Sequence, residues 1–405
     1  MPIRVLLVSQ HFYPEMISTG HILTELLLAL SRHEVCSTVV CGQPTYYSRN
    51  IVDKHIEYCG INILRTTNTQ CNKNAIWGKI LNSISFFLLS FAHVLMAEQY
   101  TVLLLVTNPP FLGVIGPIIK LLRKRKFILI IHDLYPDMAI NFGYMNKTSP
   151  LATFWNRLNK WIFREASFVI TLGRDVQYLI RRRVDEDHKY KVIYIPNWAD
   201  PSLIKPVRFD QNPFVKHLGL LEKFVVQYSG NMGLSHDMET IIEAAHELRN
   251  HKNIHFLLIG DGGKREKISK KIADYALDNI TLLPYQAREN LSNSLGACHV
   301  SLISLEHSAK GLSVPSKLYG IMASGRASIA VVPEDCEVAL TLREYACGLV
   351  TRPKDVGGLV RSITWLMTHE KERRLMGEHA REAFLHHFTA DRCAEKYLEL
   401  IRRLP

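Results

Sequence analysis

Short runs of consecutive apolar residues recur along the first half of the chain, and longer amphipathic segments separate several of them. They span residues 4–9, 37–41, 61–65, 101–107, 126–132 and 167–172. Because hydrophobicity in these runs is continuous and does not alternate, they predict strands that are covered on both faces. Such strands are typical of a parallel, doubly wound α/β sheet with helices on either side.

The same pattern begins again after residue 220, at residues 224–228, 254–259, 280–283, 300–304 and 327–332. A chain of 405 residues exceeds the size at which one hydrophobic core keeps growing, so we expect two Rossmann-like domains. The segment 195–206, IPNWADPSLIKP, has three prolines that interrupt helix and strand alike. It predicts a boundary, with one domain at 1–200 and the other at 201–386.

Residues 80–97, ILNSISFFLLSFAHVLMA, are nearly long enough to cross a bilayer, which takes about 20 residues. Asn82, Ser85 and His93 would then need partners in lipid, so the sequence favours a buried or interfacial helix. A dense cationic cluster at residues 120–126, KLLRKRK, could rest on anionic lipid headgroups. An ordinary charged helix end is the alternative.

The net charge of +11 is unevenly distributed. Residues 1–200 carry 22 Lys and Arg against 14 Asp and Glu, an excess of 8, and residues 201–405 carry 27 against 24, an excess of 3. Basic surface attracts nucleic acid, anionic lipid or phosphorylated ligands alike, but no zinc-finger or RNP-type motif supports nucleic acid.

The eight cysteines form no C-x-x-C pair, and the first residues do not resemble a signal peptide. These features favour a reduced, cytoplasmic compartment.

Two glycine-containing turns follow predicted strands of the second domain. Their residues are Gly230, Asn231 and Gly233 in the first turn, and Gly260 and Gly262 in the second. Such turns expose backbone N–H groups at the edge where open α/β sheets bind ligands, so a diphosphate could approach them. Glycine after a strand is also common for steric reasons alone, which leaves close packing as an alternative. The spacing is not G-x-G-x-x-G, and a dinucleotide dehydrogenase is disfavoured.

A third block is GLSVPSKLYGIMASG, residues 311–325, in which the proline and serine can open a helix. Its first turn would present Ser316, Lys317 and Leu318. Lysine at that position is unfavourable against the helix dipole unless an anion is bound, so Lys317 is predicted to bind diphosphate. An exposed surface lysine is the alternative.

These three blocks occur in one order with HDLYPD at residues 132–137 and IPNWAD at residues 195–200. In that order they resemble the family-four retaining glycosyltransferases, and within them the WcaI/WbuB-like colanic-acid and O-antigen transferases. The resemblance covers nearly the whole chain. It implies the GT-B fold, in which two Rossmann-like domains face a central cleft and the second holds most of the donor nucleotide. It also implies that a C-terminal helix, about residues 387–405, packs back on the first domain.

The resemblance assigns residues of the first domain as well. It implies that His132 and Asp133 are catalytic, with the imidazole contacting the transferred sugar. Glu15, Thr19 and Gly20 look like the family's glycine-bearing loop beside the acceptor, although this version has fewer glycines. For His132, a histidine that merely caps a strand end is the alternative.

Two departures concern residues that many relatives use directly. The usual arginine and lysine of the first glycine turn are replaced by Asn231 and His236, so diphosphate binding is expected to depend more on Lys317, with His236 assisting. The usual glutamate pair is also absent. Glu337, which follows the next predicted strand, is therefore our candidate for contacts to the ribose.

A departing nucleoside diphosphate needs its negative charge stabilised, and fixed cations with aimed N–H groups can do this without a metal. We therefore expect no metal and no cofactor, and interpret a D-x-D at residues 185–187 as a solvated turn. The resemblance implies transfer from a nucleoside-diphosphate sugar, expected to be a UDP-linked N-acetylated or deoxy sugar. The implied acceptor is a polyprenyl-diphosphate-linked saccharide of O-antigen, capsule or exopolysaccharide synthesis. The enzyme would then be peripheral on the cytoplasmic face of the inner membrane.

Two other classes of protein remain open from the sequence. A non-hydrolysing sugar-nucleotide epimerase shares the GT-B architecture and needs no second substrate. A non-catalytic partner that binds a nucleotide sugar would account for the missing glutamate and basic pairs. The motif order, with His132 and Lys317 both present, favours the glycosyltransferase.

Overall fold

The computed structural model describes residues 2–14, 18–44, 53–71 and 76–404. The chain forms two compact units. The first is Met1–Asn197 together with Ala390–Pro405, and the second is Trp198–Thr389. The chain therefore passes from one unit to the other inside the proline-containing segment, and passes back after residue 389.

The first unit is built on one sheet. Its strands are β1 (Arg4–Ser9), β2 (Cys36–Cys41), β3 (His55–Tyr58), β4 (Ile61–Arg65), β5 (Val102–Val106), β6 (Lys126–Ile131), β7 (Phe168–Thr171) and β8 (Val192–Tyr194). Their order is β3-β4-β2-β1-β5-β6-β7-β8, and all neighbours are parallel except β3 and β4. Leu7 of β1 lies opposite Val39 of β2 and Leu104 of β5, and all three side chains are buried. Burial on both faces is what the continuous apolar runs predict.

Helices accompany this sheet. They are α1 (Ser18–Ser31), α2 (Ile76–Met96), α3 (Ile115–Arg123), α4 (Asp137–Asn141), α5 (Pro150–Glu165), α6 (Arg174–Arg181) and the final helix α15 (Ala390–Arg402). Helix α15 packs against α1, where Arg32 and Asp391 form an ion pair. Across the part of the chain that the structure describes, no helix combines the length and hydropathy needed to cross a bilayer.

The second unit has a smaller sheet, entirely parallel. Its strands are β9 (Phe224–Ser229), β10 (Ile254–Ile259), β11 (Ile280–Leu283), β12 (Val300–Ser304), β13 (Ala327–Val331) and β14 (Gly348–Thr351), in the order β11-β10-β9-β12-β13-β14. Its helices are α7 (Pro213–His217), α8 (Glu239–Glu247), α9 (Arg265–Asp274), α10 (Leu291–Leu295), α11 (Lys317–Ala323), α12 (Glu337–Glu344), α13 (Val356–Thr368) and α14 (Glu370–His387). Both units are α/β, which confirms the predicted fold class.

Three strands were not predicted from the sequence: β3, β8 and β14. Each lies at the edge of its sheet and pairs with one neighbour. Strand β3 reads HIEY, which is polar, and β8 has three residues. Edge strands are covered less completely than central ones, so they lack the continuous apolar signal that marks the others.

The topology of each sheet fixes where a ligand can bind. In the second unit β9 has β10 on one side and β12 on the other, so strand order reverses at β9. Open α/β sheets bind ligands in the crevice outside the carboxyl ends of the strands at such a point. The turns after β9, β10 and β12 meet there. In the first unit β1 is the equivalent position, with β5 and then β6 beside it.

Candidate active site

The glycine turns after β9 and β10 interlock. The N–H of Gly230 donates to the carbonyl of Ile259, with N and O 2.8 Å apart. Gly260 has φ +144°, and a Cβ built on it would lie 2.0 Å from the carbonyl oxygen of Gly230. Only glycine tolerates that backbone contact, so Gly260 is required for packing between the two turns.

The N–H groups of these glycines are largely engaged within the protein. The N–H of Gly260 donates to the Leu283 carbonyl, and that of Gly262 donates to Oδ1 of Asp261. A Cβ on Gly262 would meet Oδ1 of Asn231 at 2.5 Å, and one on Gly233 would meet Nδ2 of Asn231 at 2.9 Å. Of the two interpretations that the sequence left open, these contacts favour close packing.

Lys317 is the first residue of α11, and its side chain reaches the glycine turn after β9. Its Nζ lies 3.6 Å from the centroid of the Tyr228 ring. A Cβ on Gly230 would lie 3.0 Å from the same Nζ, so the absence of a side chain at Gly230 makes room for the amine. The position of the Lys317 amine therefore depends on a glycine at residue 230.

The amine of Lys317 is buried and has no hydrogen-bond partner among the residues that the structure describes. Burial lowers its pKa well below the usual lysine value, because desolvation disfavours the charged form. A buried, unpaired cationic group is costly, and a bound anion would supply the missing partner. The site is thus built to gain from a negatively charged ligand.

His236 lies beside this amine and is almost fully buried. Its Nδ1 is 2.9 Å from the carbonyl oxygen of Ser304. Since a carbonyl only accepts, Nδ1 carries the proton and Nε2 is left as an acceptor. Burial, and secondarily the nearby Lys317, lower the His236 pKa to about 3. The imidazole is neutral near pH 7 and does not replace the missing basic residue as a charge.

An ion pair beside the first glycine turn was not selected from the sequence. Nζ of Lys264 lies 2.9 Å from Oε1 of Glu306 and also donates to the carbonyl of His236 at 2.6 Å. Glu306 comes two residues after β12, and its N–H donates to the carbonyl of Ser235. An acid directly behind a buried strand is the signal that could have found it, because that edge of the sheet is where ligands bind.

The remaining predicted donor residues have different surroundings. Leu318 is buried in the core of the second unit, and its N–H donates to the Pro315 carbonyl, so its contacts are those of a packing residue. Ser316 immediately precedes α11. Glu337 is buried at the start of α12, and its Oε1 accepts from the Thr341 hydroxyl at 3.0 Å.

In the first unit, His132 and Asp133 directly follow β6. The hydroxyl oxygen of Thr107 accepts from both of their backbone N–H groups, at 3.1 and 3.3 Å, and donates to the Asp133 carbonyl at 3.0 Å. Thr107 thus fixes the strand end. Nε2 of His132 is covered and has no hydrogen-bond partner in the described part of the chain, and burial lowers the pKa of its imidazole to about 4. It is a neutral ring with an unused nitrogen.

The residues after His132 are held by aromatic and ionic contacts. The rings of Tyr135 and Trp155 stack with centroids 5.8 Å apart. Asp137 accepts two hydrogen bonds of 2.7 Å from the guanidinium of Arg183. Bidentate pairs of this kind restrict orientation as well as distance. The HDLYPD segment is therefore anchored on both sides.

The predicted acceptor loop is described in part. Glu15 lies outside the described residues. Thr19 and Gly20 lie in the first turn of α1, and the Gly20 carbonyl accepts from the Thr24 hydroxyl at 2.7 Å. Both therefore sit at the carboxyl edge of the sheet, after β1.

The D-x-D at residues 185–187 lies in the first unit, where Oδ1 of Asp185 is 2.9 Å from Nζ of Lys160. Both side chains are more than half exposed. A solvated ion pair at a turn accounts for Asp185.

Comparison with known proteins shows what this chain is similar to. Residues 210–383 match the family described as Glycosyl transferases group 1. The glycosyltransferase WbjE of Pseudomonas aeruginosa is 26% identical over 405 residues, which cover 99% of this chain and 98% of that protein. The colanic acid biosynthesis glycosyl transferase WcaI of Escherichia coli K12 is 26% identical over 65% of this chain and 66% of its own.

Solved structures agree in fold. Sucrose-phosphate synthase from Thermosynechococcus elongatus has a TM-score of 0.80 at 18% identity, with 99% of each chain covered. Anabaena Alr3699/HepE in complex with UDP and glucose has a TM-score of 0.74 at 16% identity, with 99% of this chain and all of that one covered.

The chain has the two-domain α/β fold of the GT-B class, as its motif order predicts. Residues 210–383 of its second unit match the group 1 glycosyltransferases, and the predicted resemblance to colanic-acid and O-antigen type transferases is confirmed.

Proposed function

We propose that this enzyme transfers a sugar, with retention of anomeric configuration, from a nucleoside-diphosphate sugar to a polyprenyl-diphosphate-linked saccharide. The observation that carries the donor half of the proposal is the buried amine of Lys317, which has no hydrogen-bond partner among the described residues, beside the glycine turn after β9. A diphosphate would satisfy that amine and relieve the cost of burying it.

The chemistry required of the protein is modest. The bond between the anomeric carbon and the diphosphate oxygen breaks, and the acceptor hydroxyl oxygen bonds to the same face of that carbon. The acceptor proton passes to the departing phosphate. Lys317 stabilises the negative charge that develops on the leaving group, so no metal is needed for this step. His132, a neutral imidazole with an unused nitrogen, donates or accepts a hydrogen bond at the transferred sugar.

Donor and acceptor are inferred from relatives. HepE was crystallised with UDP and glucose, which supports UDP as the nucleotide, and the subfamily resemblance favours an N-acetylated or deoxy sugar. WcaI is named for colanic acid biosynthesis, which supports a role in assembling a bacterial surface polysaccharide. A lipid-linked acceptor then brings the enzyme to the cytoplasmic face of the inner membrane as a peripheral protein.

The test begins with thermal unfolding of the purified protein in the presence of UDP, GDP, ADP and their sugars, each with and without EDTA. A ligand that binds the native state raises its unfolding temperature. We expect UDP ligands to stabilise the protein equally with and without EDTA. Stabilisation that EDTA abolishes would contradict metal-free binding, and no response to any nucleotide would contradict the donor site.

The second step separates transfer from epimerisation. The donor that stabilises the protein is incubated alone and then with polyprenyl-diphosphate-linked saccharides. Transfer requires the second substrate and releases the nucleoside diphosphate. A sugar nucleotide that changes configuration with no second substrate present would identify an epimerase instead. Binding without either reaction, across a panel of acceptors, would favour a non-catalytic partner.

A further inference from the structure

Helix α2 of the first unit presents an unusual outer face. Five large apolar side chains of α2 recur at helical spacing and are more than half exposed. They are Trp77 (76%), Leu81 (51%), Ile84 (52%), Leu88 (58%) and Met96 (66%). We call these five residues the α2 stripe. Residues three and four apart share a helix face, so the stripe forms one apolar surface along the helix.

The polar residues of α2 point the other way. Asn82 is buried, where its side-chain oxygen accepts from the N–H of Cys71 at 2.8 Å and its amide donates to the Cys71 carbonyl at 3.0 Å. The hydroxyls of Ser85 and Thr69 lie 2.9 Å apart, and Ser90 is fully buried. These contacts fix the rotation of the helix. The outward direction of the stripe is therefore imposed by hydrogen bonds on the opposite face.

Cations adjoin the stripe at the carboxyl end of α2. Arg123, the last residue of α3, donates to the carbonyl of Leu95 at 2.8 Å, and Arg125 donates to the carbonyl of Glu98 at 2.6 Å. Leu121 and Leu122 of α3 are 79% and 57% exposed. The first bond joins the end of α3 to α2, and the second joins the residues that follow the two helices, so apolar and cationic side chains share one region. We call residues 120–126 the basic end of α3.

The local charge is strongly positive. Residues 76–126 contain six Lys and Arg and a single acid, Glu98. An apolar face flanked by cations is the arrangement by which interfacial helices bind membranes, burying the apolar side chains among lipids while Lys and Arg meet anionic headgroups. A second copy of this chain would instead bring the same cations towards one another, which is unfavourable.

We propose that the α2 stripe and the basic end of α3 together form the surface by which this enzyme docks on an anionic lipid bilayer. Docking deepens the proposed function, on which its benefit to catalysis rests, because it would hold the enzyme where a lipid-linked acceptor is anchored. Lipid binding itself needs neither donor nor acceptor, so it can be tested separately.

The experiment is co-sedimentation of the full chain with vesicles of phosphatidylcholine alone or of equal parts phosphatidylcholine and phosphatidylglycerol. The test variant is Leu81→Gln with Leu88→Gln, and the matched control is Leu375→Gln with Leu385→Gln, two exposed leucines of α14. We expect the wild type and the control to bind the anionic vesicles, with binding that weakens as salt rises. The test variant should partition at least about 10-fold less, since each leucine loses its burial in lipid.

Equal binding by the test variant and the wild type would overturn the proposal, and so would equal binding to both kinds of vesicle. A wild type that binds no vesicle but is dimeric by light scattering, and becomes monomeric in the test variant, would assign the stripe to a second copy. Thermal unfolding with UDP is run on the same samples. Lost vesicle binding with an intact response to UDP supports docking, whereas vesicle binding without any nucleotide response would count against the proposed function alone.

Discussion

Replacing Lys317 with methionine should make the protein more stable and a poorer binder of UDP. The substitution keeps the volume of the side chain and removes its amine. A buried group without a hydrogen-bond partner costs about 1–3 kcal/mol. Against this stands the contact with the Tyr228 ring, about 0.5–2 kcal/mol for a charged amine. We therefore expect the free energy of unfolding to rise by about 1 kcal/mol, which corresponds to about 2–4 °C in unfolding temperature for a unit of this size.

The effect on binding has the opposite sign. A charge-assisted hydrogen bond to phosphate contributes about 1.5–3 kcal/mol, so Lys317→Met should weaken UDP about 10- to 150-fold. Isothermal titration calorimetry measures the affinity, and denaturant titration measures the free energy of unfolding. Lys310→Met is the matched control, because Lys310 pairs with Asp335 at the surface and should change neither quantity by more than about 0.5 kcal/mol.

The pH dependence provides a further check. The pKa of Lys317 is lowered in the folded protein, so between that value and the unfolded value of about 10.4 the unfolded chain holds a proton that the folded chain lacks. Wild-type stability therefore rises with pH in this window, and the advantage of Lys317→Met should shrink. UDP favours the charged amine, so its binding should take up protons in wild type and fewer in the variant. A destabilised variant that binds UDP as wild type does would refute this reasoning.

Three more outcomes can be checked. Gly260→Ala should destabilise the protein by roughly 3 kcal/mol or more in denaturant titration, since its Cβ would overlap backbone, whereas Gly263→Ala, with no atom within 4 Å, should cost about 1 kcal/mol or less. Glu306→Gln removes the ion pair to Lys264; unfolding free energy should fall by about 1 kcal/mol or less, and steady-state kinetics should show the donor KM changing more than kcat. His132→Ala should lower kcat about 10²- to 10³-fold with UDP affinity unchanged, and because its pKa is about 4 the wild-type rate should show no inflection from this ring near neutral pH.

The fold was predictable because central parallel strands are buried on both faces, and burial leaves a continuous apolar run such as VLLLV in β5. The roles of the glycines could not be predicted from the sequence. Whether Gly230 meets an anion or a lysine depends on how two turns and a helix approach one another, and those elements are 87 residues apart at Gly230 and Lys317.

The orientation of helix α2 could not be predicted from the sequence either. Its apolar composition is also that of a core helix, and the positions of Asn82 and Ser90 argue only against insertion in lipid. Which face points outward is decided by partners such as Cys71 and Thr69, which lie before the helix in the chain. Sequence periodicity detects an amphipathic face but does not say which face meets the protein.

The return of the chain to the first unit has a consequence for biosynthesis. Helix α15, whose Cys393, Tyr397 and Ile401 are buried, is made after the whole of the second unit, yet it completes the unit whose strands were made first. The second unit, by contrast, is continuous from residue 198 to residue 389. Domains generally fold as units, and the second unit contains all of its residues before the first one does. A chain that ends at residue 389 should therefore resist proteolysis in the second unit more than in the first.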